Sequence, residues 1–154
     1  MNIDLIKENV IFPALMIIGK YSDDAADMVL VTGAVESHYR HVRQIGGGSA
    51  LGLFQMEPST HDDIWRNYLM SSRLRKVSDG LTQLTKRPGV YQELEVNPWY
   101  AAAMCRVHYL RDRHKLPKAG NRMAQAEYWK RVYNTVKGKG TVGKFLEDVT
   151  EILK

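Results

Sequence analysis

Ser22-Asp23-Asp24-Ala25-Ala26-Asp27-Met28-Val29-Leu30-Val31-Thr32-Gly33-Ala34-Val35-Glu36-Ser37 is the stretch from which the fold is read. Ser22 suits an N-cap, and Asp23 and Asp24 put negative charge where a helix N-terminus favours it. Ala26, Val29, Leu30 and Gly33 then recur at helical spacing and carry the helix to about Ser37. Downstream the chain changes character. Gly46-Gly47-Gly48-Ser49 cannot lie inside a helix at a cost of about 1 kcal/mol per glycine, so this region reads as a turn or small hairpin. Pro58, with Ser59 and Thr60, opens the next helix, and Asn97-Pro98 reads as a cap followed by a first-turn proline. From there Tyr100, Ala103, Met104, Val107 and Leu110 form an apolar face that stops near Pro117. Helices are also predicted over 122–134 and 141–153, the last with Thr141 as its cap and one apolar stripe from Val142 to Leu153. The polar middle predicts a helix over 65–77 and irregular structure after it. The pattern as a whole predicts a mostly α fold, with at most a small β element near residues 43–56.

Composition bounds the class. The chain has 154 residues, 44% of them hydrophobic and 25% charged, which is one ordinary domain over 1–154 able to bury a core unaided. Eight tyrosines and three tryptophans exclude disorder. A single cysteine, Cys105, excludes an internal disulfide framework and a cysteine-based zinc site. Lys plus Arg is 22 against 17 for Asp plus Glu, a net charge of +5 that favours an anionic partner, nucleic acid or a bacterial envelope, without choosing between them.

The most apolar run, 10–18, contains Pro13 and is far shorter than the roughly 20 residues needed to cross a bilayer. Its flanks, Met1-Asn2-Ile3-Asp4 and Glu8, are acidic where a secretory signal would be basic, and no small-residue cleavage site follows. The expectation is a core helix, no signal peptide and no membrane insertion.

Chemistry concentrates in Val35-Glu36-Ser37-His38-Tyr39, the glycine turn, and Ala50-Leu51-Gly52-Leu53-Phe54-Gln55-Met56-Glu57-Pro58-Ser59-Thr60. Glu36 falls where the apolar helix gives way to polar chain. A carboxyl half inside apolar surroundings has a raised pKa, because desolvation disfavours its charged form. A general acid for a glycosidic oxygen needs that property near neutral pH.

Glu36-Ser37, followed by Gly52-Leu53-Phe54-Gln55-Met56 with Pro58 and Thr60 close behind, resembles the signature of the lysozyme-like lytic transglycosylases. Val132-Tyr133-Asn134, before a Gly/Lys loop and a last helix, is similar to that family's Ala-Tyr-Asn-Ala-Gly motif. The blocks stand in the family's order from Glu36 to about Lys144. Three departures mark the match: Ser49-Ala50-Leu51-Gly52 for Gly-Ala-x-Gly, Phe54 for Met, and Thr135-Val136-Lys137 after Tyr-Asn. The resemblance implies a lysozyme-like fold and cleavage of the N-acetylmuramic acid to N-acetylglucosamine bond of peptidoglycan. Glu36 would protonate the glycosidic oxygen and then take the proton of the sugar's C6 hydroxyl as a 1,6-anhydro ring closes. It further implies glycan strands as substrate, no metal or other cofactor, and a bacteriophage wall-degrading protein, virion-carried with other virion proteins as partners or released at lysis.

By the same resemblance Ser37 would bond Glu36 or its neighbourhood, Gln55 would line the sugar cleft, and Phe54 and Met56 would touch sugar rings. Tyr133 would aim its hydroxyl at Glu36 or the substrate acetamido group, and Asn134 would bind substrate. Each has a plainer reading: Ser37 as a polar helix end, Gln55 as a solvent-facing side chain, Phe54, Met56 and Tyr133 as core, and Asn134 as a helix-ending cap; Gly52 reads as a point of close backbone approach to the catalytic helix. Trp65, Trp99 and Trp129 sit in helical patterns where core use is commoner than sugar stacking. His38, His41 and His61, the last followed by Asp62-Asp63, lack the spacing of a zinc site. The Arg73-Leu74-Arg75-Lys76 cluster and Lys137, Lys139 and Lys144 read as solvated faces that draw the protein towards anionic polymers.

Two other functions stay open. A hydrolysing lysozyme of the same fold would need a second carboxylate. Glu57 is the candidate, sharing a face with Gln55 if that segment is extended, while Asp62 and Asp63 read better as first-turn helix acids. The other is a virion structural or envelope-binding protein without turnover. Nucleic-acid binding has no motif to support it.

Overall fold

A computed structural model describes residues 2–40, 48–135 and 138–154. The fold is mostly α, and among the described residues the β content is a single antiparallel bridge between Leu51 and Met56. The predicted turn residues Gly46 and Gly47, together with His41 and Lys137, lie outside the described residues.

The chain starts as α1 (Ile3–Ile6), widens into a π-helical turn (Lys7–Ile11) and continues as α2 (Phe12–Ile17). Pro13 does not stop this rod. A proline has no N–H for the carbonyl four residues back, here Asn9, and the Trp99 indole N–H donates to that carbonyl instead, at 2.8 Å. Trp99 is therefore a surface clasp, 43% exposed, rather than core.

Two helices form the centre. The first, α3 (Asp23–Ser37), is capped by Ser22, whose hydroxyl accepts from the Ala25 N–H at 3.0 Å. The second, α7 (Pro98–Leu110), is capped by Asn97, which accepts from the Tyr100 N–H at 3.0 Å. Both are buried around most of their girth, so neither shows a clean amphipathic stripe. Thr32 and the Tyr109 hydroxyl share a hydrogen bond of 2.7 Å between them. α7 ends at Leu110, short of Pro117, because Arg111 to Leu116 run out over the surface.

Around this pair lie α4 (Pro58–Asn67), α5 (Arg75–Leu84), the short α6 (Glu93–Val96), α8 (Arg122–Tyr128) with a π-helical continuation (Trp129–Asn134), and α9 (Val142–Ile152). The helix expected over 65–77 is split in two. Tyr68 leaves helical backbone at φ −122°, a single 3-10 turn spans Ser72–Leu74, and the buried stripe Leu74, Val77 and Leu81 belongs to α5. Asp62 and Asp63 are not first-turn acids either, since α4 begins at Pro58 and its first turn carries none. Asp62 faces the His61 Nδ1 at 3.0 Å and Asp63 accepts from Arg111 at 2.8 Å. His61 is a core residue: its Nε2 lies 2.8 Å from the Tyr100 hydroxyl, which also accepts from the Trp65 indole at 2.8 Å.

What positions the site is the end of α3. After Ser37 the backbone is left-handed at both His38 and Tyr39, each with φ 54°. Ser37 makes this reversal possible: its hydroxyl donates to the Gly33 carbonyl at 3.1 Å and accepts from the Tyr39 N–H at 3.1 Å. The chain folds back so that the buried Tyr39 hydroxyl donates to the Leu30 carbonyl at 2.6 Å. Gly33 leaves the room, because a Cβ there would meet the Tyr39 hydroxyl at 2.3 Å.

Candidate active site

A cavity of about 620 Å³ opens beside the C-terminal end of α3. Glu36, Ser37 and His38 form one side, and Gln55, Met56, Glu57 and Thr60 come from the turn and the start of α4. His108 of α7, Trp129, Tyr133 and Asn134 of the π-helical segment, and Lys139, Lys144 and Asp148 close the rest. Three sequence blocks distant along the chain thus meet around one cavity, which Glu36, Glu57 and Asp148 all line.

Glu36 is half-buried, and burial pushes its carboxyl up from the ordinary 4.5 to about 7. One group resists that rise. The Trp129 indole N–H donates to Glu36 Oε2 at 2.8 Å and so favours the charged form. The balance leaves a carboxyl that holds and releases a proton near neutral pH, the condition for acid and base duty in one cycle. Trp129 is 2% exposed and packs at a tilt against Phe145, as a core residue would, but its indole N–H reaches Glu36.

Several expected contacts fall elsewhere. Tyr133 lines the cavity, but its hydroxyl donates to the Phe54 carbonyl at 2.6 Å rather than to Glu36. A backbone carbonyl is the stronger local claimant, because Phe54 is buried and its oxygen needs a donor. Phe54 does not touch the cavity; its ring sits in the core, edge-on to Tyr39 at 6.3 Å. Ser37 lines the cavity while its hydroxyl is spent on the helix end and not on Glu36. Met56 is buried and also lines the cavity. Asn134 is the last residue of the π-helical segment, with Thr135 as the cap, and its Oδ1 accepts from Lys130 at 2.7 Å.

The 51–56 turn is not extended. Gln55 has φ +49°, and its side-chain amide donates to the Gly52 carbonyl at 2.9 Å. Gln55 and Glu57 reach the same cavity through that bend and not through strand alternation. Gly52, with φ +82°, brings the turn against the Leu94 carbonyl, which a Cβ would meet at 2.1 Å, so its close approach is to α6 and not to α3. Glu57 accepts from the Ser49 hydroxyl.

On the opposite rim the buried Asp148 of α9 lies 3.1 Å from His38 Nε2 and accepts from Lys144 at 2.7 Å. This ties the residue after the α3 terminus to the last helix and occupies Lys144, whereas Lys139 faces the cavity. Among the described residues no group of three or more His, Cys, Asp or Glu could hold a metal ion, and no helix is long and apolar enough to cross a membrane.

The arrangement is that of a mostly α protein with a carboxyl of raised pKa, Glu36, at the side of an open cleft. No protein-family model, curated protein or solved structure matches the chain.

Proposed function

We propose that the chain is a peptidoglycan-cleaving enzyme of the lysozyme-like fold, acting as a lytic transglycosylase. The observation that supports this most is Glu36, a half-buried carboxyl with its proton affinity near 7, held by Trp129 beside a cavity of about 620 Å³. In this reading Glu36 gives its proton to the oxygen between N-acetylmuramic acid and N-acetylglucosamine as the C1–O bond breaks. The C6 hydroxyl of the muramic sugar then attacks C1, its proton passes to the Glu36 carboxylate, and a 1,6-anhydro ring closes. The substrate's own acetamido group assists at C1, so no second enzymic carboxylate is required. Gln55 and Met56 contact the glycan, and Lys139 draws the anionic polymer to the cleft. A bacteriophage origin, virion-carried or released at lysis, follows from the motif resemblance alone.

A second reading, hydrolysis by a lysozyme, is favoured by one feature: Glu57 lines the same cavity as Glu36. A retaining hydrolase holds its two carboxyl groups about 5–5.5 Å apart and an inverting one about 6.5–9.5 Å apart, with water between. Mass spectrometry of the sugars released from purified peptidoglycan decides between them. The proposal expects 1,6-anhydromuramic ends. Reducing muramic ends, lost in Glu57→Gln, would move the assignment to a lysozyme.

A further inference from the structure

His108 is a polar group of the cleft that neither the fold nor the chemistry above employs. Its Nδ1 is buried and, among the described residues, has no hydrogen-bond partner. The ring packs against Tyr133 with 4.6 Å between centroids and against Tyr109 with 6.3 Å, while the residue lines the same cavity as Glu36.

The orphaned nitrogen fixes the state of the ring. A neutral imidazole carries one N–H. On Nδ1 that proton would be a buried donor without an acceptor, which native proteins rarely tolerate. On Nε2 it leaves only an unshared pair at Nδ1, the cheaper of the two orphans. Protonating both nitrogens would restore the unsatisfied donor. Burial, with the like charge of Arg111, pushes the imidazole down to about 3, in agreement with a neutral ring. The tautomer left is Nε2–H, on a residue that lines the cavity.

We infer that His108 is a substrate-binding residue, its Nε2–H donating a hydrogen bond to an amide or hydroxyl oxygen of an N-acetylated sugar seated beside Glu36. This rests on the proposal that the cleft takes an N-acetylated glycan. A fixed, uncharged donor suits such a ligand, because it pairs with a carbonyl without demanding a counter-charge in a partly desolvated site.

Nuclear magnetic resonance of ¹⁵N-labelled protein, titrated with a short N-acetylglucosamine oligomer, tests it. The free protein should show the Nε2–H tautomer of His108. On titration the His108 Nε2–H signal should move together with the Trp129 indole signal. His108→Phe should bind the oligomer about 10-fold more weakly, near the upper end of one neutral hydrogen bond, and His108→Gln, which keeps a donor, should recover part of the loss. An Nδ1–H tautomer would overturn the inference. So would a Trp129 response with His108 unmoved, and in that case the glycan reading itself survives. No response of either residue in the wild-type protein would remove the glycan reading, and the His108 donor with it.

Discussion

The Tyr133 hydroxyl donates to the Phe54 carbonyl at 2.6 Å, joining the helical wall of the cleft to the turn that faces it. The tyrosine is thereby a brace between two walls, and its hydroxyl proton is given to the backbone and not to Glu36. Tyr133→Phe strips the donor from a buried carbonyl, which costs about 1–3 kcal/mol. Calorimetry should show a melting temperature lower by roughly 2–4 °C per kcal/mol, while the pH dependence of cleavage keeps its shape. Unchanged melting with collapsed turnover would instead put the hydroxyl on the substrate.

Trp129→Phe keeps an aromatic ring against Phe145 and removes the indole N–H from Glu36. That N–H favours the carboxylate, so its loss lets burial push the Glu36 carboxyl further above about 7. Carboxyl ¹³C titration should therefore place the Glu36 midpoint higher in the variant than in the wild type. A lower or unmoved midpoint would show that the indole does not control the acid.

Glu36 also links stability to pH. Its folded pKa of about 7 lies above the ordinary 4.5, so between those values the folded state binds the proton more tightly than the unfolded chain. Stability contributed by the group is full below 4.5 and falls as pH rises through 7, by at most about 3 kcal/mol. Glu36→Gln, which cannot ionise, escapes that loss. Thermal melts should coincide for the two proteins near pH 4 and separate near pH 8, with the variant the more stable. Equal separation at both pH values would refute the raised carboxyl.

Gly33→Ala places a methyl carbon 2.3 Å from the Tyr39 hydroxyl, inside the fold-back that ends α3. Overpacking of this kind costs about 1–3 kcal/mol, and urea unfolding should show a loss in that range. A variant as stable as the wild type would mean that Tyr39 moves out of the site at little cost.

Much of this was legible locally. The Ser22, Asn97 and Thr141 caps, the end of α3 at Ser37 and the proline start of α4 each follow from residues within one helical turn of the boundary. Glu36 was legible as a carboxyl at the edge of an apolar helix, for the same reason. The partner of that carboxyl was not, because Trp129 lies 93 positions away and a tryptophan among apolar neighbours looks like core until its N–H finds an acceptor. The direction of the Tyr133 hydroxyl was equally hidden, since a carboxyl and a backbone carbonyl are both acceptors and only packing chooses between them. His108 gave no signal either: a helical histidine becomes conspicuous only when one nitrogen is found buried without a partner. The break at Tyr68 carries no proline or glycine to announce it, and the stripe of Leu74, Val77 and Leu81 that packs α5 starts only after it.

Release of soluble fragments from purified Gram-negative peptidoglycan by the wild type and by Glu36→Gln, both shown to be folded by circular dichroism, tests the central claim most directly. If Glu36 is the acid and then the base, the wild type solubilises the wall and the variant does so at least about 100-fold more slowly. Equal release by the two folded proteins, or none by the wild type, would contradict the account.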